Sequence, residues 1–438
     1  MKNDGNAGFD RRLAWHVWPW VMVTWPLSVG HAAFSLPDFI SPASGIRLFY
    51  VALVTYCATA AFAVARDRSL LANLLRKDYA PYYLFVGING ISLLVVGLSY
   101  AAGHRPQMLS LLASFVVFIL MTITMLDAPG YERAVDIVIY ATAVVLFVLI
   151  VEHAFVFKAL YLTPTFTKEM FISSGYQGKN PLAFYLSLLF PFVYAKLVRA
   201  PGWRNVALFL IFTTGILYCF SRMGVINYVV AIVAFCFLPH TARRRYWVAT
   251  GAVVCAFVIL ASATGLTPSR WLEAKLAGQI SVSSEKYVEE VLSDYEERWI
   301  DLNLDRASYI VAAARGVSER PLFGHGITSF SQDHTQYRGD GTVLRQPVTH
   351  NDYAIVAYEL GLVGLLTFLV LFLAPLRLLV GAPSATTSVS GTLRDGQLVS
   401  LLVLGFSLNM INAYETVLFW VTIAGALQLG LHWRQQDG

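Results

Sequence analysis

The sequence predicts an all-α protein that crosses a membrane many times, and three observations lead to this fold class. Of 438 residues, 57% are hydrophobic and only 13% are charged, with a mean hydropathy of +0.59. A soluble domain carries roughly a quarter charged residues. The apolar residues also form long runs, most of which reach the ~20 residues that a helix needs to span hydrocarbon. One polar interruption, residues 266–350, is far longer than any other.

The apolar runs predict about twelve spanning helices. They lie at residues 14–34, 45–65, 80–102, 107–126, 134–157, 180–198, 203–220, 223–239, 246–265, 361–380, 396–412 and 415–432. The runs at 203–220, 223–239, 396–412 and 415–432 are of marginal length. We therefore expect helices one to nine in residues 1–265, a long and mainly helical loop domain in 266–350, and an interfacial helix with helices ten to twelve in 351–438.

The distribution of Lys and Arg predicts the orientation in the membrane, because short cytoplasmic loops are enriched in both residues. With a cytoplasmic N-terminus, seventeen of them lie in inside segments and six lie in short outside loops. The other nine lie in residues 266–350, a loop too long to count reliably. Both termini are therefore expected in the cytoplasm and the long loop on the outer side.

Cofactor chemistry finds little support in the sequence. All four cysteines, Cys57, Cys219, Cys236 and Cys255, lie in apolar runs and are interpreted as small buried hydrophobic residues. No paired acidic residues, glycine-rich phosphate loop or His/Cys cluster is present. We therefore expect no metal, no cofactor and no nucleic-acid partner.

Four polar residues far apart in the sequence are placed together at the outer boundary by this topology. Lys179 opens the sixth span in "GYQGKNPLAFYL", and Arg222 lies in "CFSRMGVINY" between spans seven and eight. Arg306 lies in the long loop and His350 closes it. Arg222 has a plain interpretation as an arginine that extends from a helix end to water. Its turn is short and apolar, however, and the guanidinium fork suits bidentate phosphate binding.

Helical periodicity separates Arg306 from a nearby arginine. In residues 305–319 the apolar positions Ile310, Ala313, Ala314 and Val317 recur as on one face of an amphipathic helix. Arg306, four residues before Ile310, is expected on this inward face, where a charge needs a partner. Arg315 is expected to face solvent. The segment "RPLFGHG" then ends the helix.

His350 precedes a series of small residues at helical spacing. Ala354, Ala357, Gly361 and Gly364 are expected on its helix face, where they would let another helix backbone approach closely. The alternative is a packing stripe with an incidental histidine. Because Glu359 is costly in hydrocarbon, residues 351–360 are expected at the interface or beside a wet cavity.

Other polar residues are weaker candidates. His334, Arg338 and Arg345 lie in a polar, turn-rich run and are interpreted as a solvated loop. His325 is interpreted as a turn residue, and Glu415 is a minor acid or base candidate. The cytoplasmic arginines 243–245 are interpreted as a positive-inside anchor.

Three of these stretches resemble a known family. "HNDYAIVAYELGLVG" fits the pattern H-[N/S/Q]-x9-G-x-x-[G/T/Y] of bacterial O-antigen ligases in His350, Asn351, Gly361 and Gly364. The stretch "DRASYIVAAARGVSERPLFGHGITSF" at 305–330, followed by "HN", resembles the wider family of ligases and polymerases that act on lipid-linked sugar chains. The "SRMG" at 221–224 resembles the arginine turn of that wider family. The likeness covers roughly residues 170–380.

The resemblance implies a GT-C-like, inverting, metal-independent glycosyltransferase at the periplasmic face of the Gram-negative inner membrane. It would transfer O-antigen from undecaprenyl pyrophosphate to lipid A–core during lipopolysaccharide biosynthesis, among membrane lipids. His350 would be the base, Arg222 and Arg306 would neutralise the pyrophosphate, and Lys179 and Asn351 would bind pyrophosphate or sugar. An O-antigen polymerase, a protein O-oligosaccharyltransferase and a lipid-linked sugar transporter remain as alternatives.

Overall fold

A computed structural model describes residues 16–22, 48–96, 105–124, 128–156, 179–219, 221–238, 244–253, 309–334, 336–337, 343–345, 351–381, 388–410 and 416–436. These residues are almost entirely helical. His350, Arg306, Arg338, Cys255 and Glu415 lie outside them, as do the side chains of Lys179, Arg222 and Arg345.

The helices are numbered in chain order. They are α1 (16–22), α2 (Leu48–Arg66), α3 (Ala80–Val96), α4 (Arg105–Thr124), α5 (Ala128–Val156), α6 (Lys179–Arg199), α7 (Trp203–Tyr218), α8 (Arg222–Cys236), α9 (244–253), α10 (309–319), α11 (Ser329–Asp333), α12 (Asp352–Gly381), α13 (Ser388–Ser407) and α14 (Val417–Gln436). Two 3-10 segments, Arg68–Leu75 and Lys77–Tyr79, join α2 to α3.

Three helices that are buried nearly all round form the centre of the bundle. They are α6, α13 and α14, and α6 packs against α7, α8 and α13 while α14 packs against α4, α12 and α13. A helix that is hydrophobic on every side must lie inside a protein or a membrane. Their burial on nearly every side places these three helices at the core of the bundle.

The outward surface of the bundle is apolar as well. Large hydrophobic side chains are exposed on the surrounding helices, including Ile91 on α3, Val144 on α5, Leu210 on α7 and Val229 on α8. Many exposed large hydrophobic side chains on several helices are compatible with contact with a membrane or a partner.

Two described helical stretches, Leu182–Arg199 and Asp352–Gly381, have the length and hydropathy to cross a membrane. Shorter apolar helices lie at Val51–Arg66, Ser114–Thr124, Trp203–Leu217 and Met223–Cys236. The predicted helical character is confirmed for the described residues and is compatible with a membrane protein, while the number of twelve spans stays a prediction.

A small hairpin interrupts the expected helical character of the long loop. Strands β1 (Gln336–Tyr337) and β2 (Val343–Arg345) pair antiparallel, with Gln336 opposite Arg345. The polar, turn-rich sequence of this run predicts a solvated loop, whereas two short strands form. The intervening "RGDG" contains residues that favour a tight reversal, so two short strands can pair across it.

Candidate active site

The candidate site begins with "SRMG", which forms the start of α8. Ser221 is the N-cap: its backbone is extended and its hydroxyl accepts a hydrogen bond from Gly224 N at 3.4 Å. This arrangement satisfies a backbone donor that the helix itself leaves unpaired. Arg222 is therefore the first residue of a helix.

The start of α8 packs against the start of α6. A Cβ on Gly224 would lie 2.9 Å from Ala183 Cβ, so the glycine permits this close approach. Ala183 is four residues after Lys179, about 6 Å along the helix axis. The backbones of Lys179 and Arg222 thus lie within about one helical turn of a shared contact.

The C-terminal end of α13 reaches the same region. The contacts between α6 and α13 are antiparallel: Arg199 lies against Gly391, Phe192 against Gly396, and the Ser400 hydroxyl donates to Leu188 O at 2.9 Å. Continuing this register brings the last residues of α13 beside the first turn of α6.

α12 starts at this end too. Asn351 caps it by accepting a hydrogen bond from Ala354 N on Oδ1 at 3.0 Å. Asp352 N donates to Leu408 O at 2.8 Å, immediately after α13. The adjacent Ser407 hydroxyl accepts from Asn227 Nδ2 on α8, also at 2.8 Å. Asn227 is five residues after Arg222, about 7.5 Å along the helix.

The structure therefore gathers the starts of three helices, α6, α8 and α12, around the end of α13. Helix N-termini present free N–H groups and a partial positive charge, which favours anions such as phosphate. Three of the five predicted site residues, Lys179, Arg222 and Asn351, stand at these starts. His350 directly precedes Asn351 in the chain and, like Arg306, lies outside the described residues.

The predicted ridge of small residues after His350 is wrong in one respect, because α12 is not continuous. Gly361 has φ 67° and ψ −168°, which breaks the helix into a short segment ending at residue 360 and a long one that follows. Its α-carbon lies against the backbone of Leu322, so the close approach is made by a loop, not by another helix.

That loop is "RPLFGHG", and it satisfies the backbone groups that the break exposes. Pro321 O and Leu322 O accept from Leu362 N and Val363 N at 2.8 and 3.2 Å. In return, two N–H groups of the loop donate to carbonyls on the other side of the break: His325 N to Tyr358 O at 3.0 Å, and Gly326 N to Glu359 O at 2.8 Å. The loop thus fixes the short segment that begins at Asn351.

The buried face of α10 differs from the predicted one. Ile310 and Ala314 are exposed, whereas Ala313 and Gly316 are buried. The reason is Tyr358, whose ring occupies the space that a Cβ on Gly316 would need. Arg315 is exposed, as predicted.

A cluster around Tyr358 joins this part of the loop to α12. The Tyr358 hydroxyl donates to Asp333 Oδ2 at 2.7 Å, and its ring stacks on His325 with centroids 4.4 Å apart. His325 Nε2 lies 3.0 Å from Gly316 O. His325 is a turn residue, as predicted, and its ring helps to pack α10 onto α12.

A cavity of about 720 Å³ adjoins this cluster and the C-terminal half of α3. It is lined by Ile88, Ile91, Ser92, Arg320, Phe323, Gly324, His325, Gly326, Ser329, Asp333 and Leu360. Ile327 N donates to Ser92 Oγ at 2.8 Å, which attaches the loop to α3.

Four polar residues of this region, Asn227, Ser407, Asp333 and Tyr358, are not among those predicted from the sequence. A polar residue inside an apolar run is a recognisable signal for Asn227, because such residues are costly in a membrane and need partners. No sequence signal pairs Tyr358 with Asp333. Among the residues that the structure describes, no group of three His, Cys, Asp or Glu side chains could hold a metal ion.

Fold and site together define the class: a helical membrane protein that directs several helix N-termini to one end of its bundle. Within this class, residues 207–369 match the family model described as O-Antigen ligase. The resemblance predicted from the sequence is confirmed over this segment, which contains Arg222, Arg306, His350 and Asn351. The match supports enzymatic activity of this general type. None of the curated proteins compared with the chain matches it.

Proposed function

We propose that this protein is an O-antigen ligase that transfers O-antigen polysaccharide from undecaprenyl pyrophosphate to lipid A–core. The observation that carries the proposal is the family match over residues 207–369, which includes both candidate arginines and the candidate histidine. The gathering of the α6, α8 and α12 starts supports it, because these N-termini suit the pyrophosphate of such a donor.

The proposed reaction is a direct displacement at the anomeric carbon. A lone pair of the acceptor hydroxyl attacks C1 of the donor sugar, and His350 takes the hydroxyl proton. The C1–O bond to pyrophosphate breaks with its electron pair, so undecaprenyl pyrophosphate leaves and the anomeric configuration inverts.

Cationic side chains are proposed to stabilise the leaving group. Arg222 and Arg306, with Lys179, neutralise charge that develops on the pyrophosphate in place of a divalent metal. Because Ile310 and Ala314 are exposed, the periodicity that predicted Arg306 on a buried face does not hold, and its proposed role rests on the resemblance and the family match.

Asn351 is proposed to act mainly by stabilising the start of α12. Because its Oδ1 caps α12 at Ala354 N, it holds the first turn of the helix that His350 precedes. The loop "RPLFGHG" stabilises the other end of the same short segment. The base would thus be positioned from two sides.

The proposed setting is the inner membrane of a Gram-negative bacterium. We propose about twelve spans in a GT-C-like arrangement, with both termini cytoplasmic. Residues 266–350 would form a periplasmic domain between helices one to nine (1–265) and the interfacial helix with helices ten to twelve (351–438). Apolar spans would accommodate the polyprenyl tail and the periplasmic domain would cover the sugars.

Reconstitution with purified donor and lipid A–core tests this function. We expect sugar transfer to lipid A–core that persists in EDTA, and a loss of about 10²–10⁴-fold in His350→Ala. Loss of transfer on adding EDTA would contradict the metal-free mechanism. Chain extension without lipid A–core would indicate a polymerase, transfer to a protein an oligosaccharyltransferase, and donor movement without transfer a transporter.

A matched pair of arginines tests the assignment of Arg306. Arg306→Gln should lower the transfer rate about 10²–10³-fold, because one charge on the leaving group is lost. Arg315→Gln, an exposed position on α10, should retain activity near the wild-type level. Equal losses in both variants would argue against a specific role for Arg306.

A further inference from the structure

A groove at the opposite end of α6 from the candidate site combines two arginines with aliphatic side chains. Its volume is about 430 Å³. It is lined by Leu197, Val198, Pro201, Arg244, Arg245, Val248, Ala249 and Ala252.

The wall contributed by α9 changes from charged to apolar along its length. Arg245, Val248, Ala249 and Ala252 have the spacing i, i+3, i+4 and i+7, so they share one helix face. This face extends roughly 10 Å from the arginine to the last alanine. The groove therefore presents positive charge at one end and hydrocarbon surface along the rest.

A buried hydrogen-bond network fixes the orientation of α9 about its own axis. Tyr246 directly follows the two arginines, and its hydroxyl donates to Asp395 Oδ2 at 2.8 Å. The same oxygen accepts from Arg199 Nε and Nη2 at 3.0 and 2.6 Å. Because Tyr246 is fully buried, Arg244 and Arg245 remain exposed beside the groove.

Among the residues that the structure describes, no acidic side chain forms an ion pair with the arginines of the groove. None of the lining residues is acidic. Within the described part of the chain, neither Arg244 nor Arg245 has an ion-pair partner, whereas nearby Lys196 lies 2.7 Å from Asp136. The complementary molecule carries an anion next to a hydrocarbon chain.

We propose that this groove binds one anionic glycerophospholipid of the cytoplasmic leaflet. The phosphate lies at Arg244 and Arg245, and an acyl chain lies along Val248, Ala249 and Ala252. The excess of Lys and Arg places this end of α6 in the cytoplasmic leaflet, where basic pockets between helices bind anionic headgroups. The site is independent of the proposed sugar transfer.

Native mass spectrometry of the delipidated full-length protein tests the site. Phosphatidylglycerol and phosphatidylethanolamine with identical acyl chains are titrated separately, and inorganic phosphate is tested as a competitor. We expect one tight phosphatidylglycerol site that phosphate does not displace. The Arg244→Gln/Arg245→Gln double variant should weaken it about thirtyfold without changing phosphatidylethanolamine binding.

Two further variants make the result specific. Val248→Trp, at an exposed position, fills the groove and should also abolish the tight site. Arg68→Gln/Arg133→Gln removes the same charge from exposed positions outside the groove and should leave it unchanged. Equal weakening in this control, equal affinity for both lipids, or displacement by inorganic phosphate would each overturn the proposal.

Discussion

At the residue scale, the last residue of α13 and the residue that follows it connect α13 to α8 and to the start of α12. Ser407 accepts a hydrogen bond from Asn227 on α8, and Leu408 O accepts one from Asp352 N on α12. Asn227 and Ser407 are fully buried. When one partner of a buried hydrogen bond is removed, the loss of stability exceeds the net contribution of the bond, because the remaining polar group stays buried without a partner.

Ser407→Ala should therefore destabilise the protein by about 1–3 kcal/mol, since Asn227 Nδ2 loses its acceptor. Thermal unfolding in detergent would measure this as a lower melting temperature. Ser318→Ala is the matched control, because the Ser318 hydroxyl bonds to Arg315 O at an exposed site. An unchanged melting temperature in Ser407→Ala would show that the link between α8 and α13 contributes little.

At the element scale, the break in α12 determines where the short segment after Asn351 points. A continuous helix would have left Gly361 on the same face as His350, as the periodicity predicts. The positive φ at Gly361 instead turns the chain, and four backbone hydrogen bonds to "RPLFGHG" complete the junction. The arrangement requires glycine because other residues rarely adopt this backbone conformation.

Gly361→Ala should destabilise the protein by about 1–3 kcal/mol or more, because it adds both backbone strain and a clash with Leu322. If the segment positions His350 as proposed, sugar transfer should fall more steeply than the folded fraction does. Gly90→Ala is the control, since its Cβ would meet nothing within 4 Å on α3. It should be neutral or stabilising by up to ~1 kcal/mol. Comparable melting temperatures for the two variants would contradict the strained junction.

At the scale of the whole molecule, a buried ion pair joins the last residue of α6 to the N-terminal half of α13 and extends to α9. Asp395 is fully buried and accepts from both Arg199 and Tyr246. Removing one member of such a pair leaves an uncompensated charge inside the bundle.

Asp395→Asn should therefore cost about 3–5 kcal/mol in stability. Asp78→Asn is the comparison: Asp78 lies 3.6 Å from Arg76 with both side chains partly exposed, and its loss should cost about 0–1 kcal/mol. Melting temperatures of the two variants, measured in the same detergent, compare the two losses of stability. Similar losses would show that burial does not govern the Asp395 contribution.

The proposed orientation makes a prediction of its own. In a background without the native cysteines, Ser318→Cys should react with a membrane-impermeant maleimide in intact spheroplasts, since residue 318 is exposed in the outer loop. Arg133→Cys, exposed and counted on the inside, should react only after permeabilisation. The reverse labelling pattern would invert the topology and with it the side of the candidate site.

The sequence by itself determined the helical membrane class, the family likeness and the identity of the candidate residues, because composition, hydrophobic run length and short motifs are local properties of the chain. It also located Arg315 on an exposed face. Only the tertiary structure brought the starts of α6, α8 and α12 together, since the contacts responsible, such as Gly224 with Ala183 and Asn227 with Ser407, join distant segments. The break at Gly361 was also decided only by the tertiary structure. Helical periodicity assumes regular geometry, whereas the backbone conformation at Gly361 depends on a loop nearly forty residues earlier in the chain.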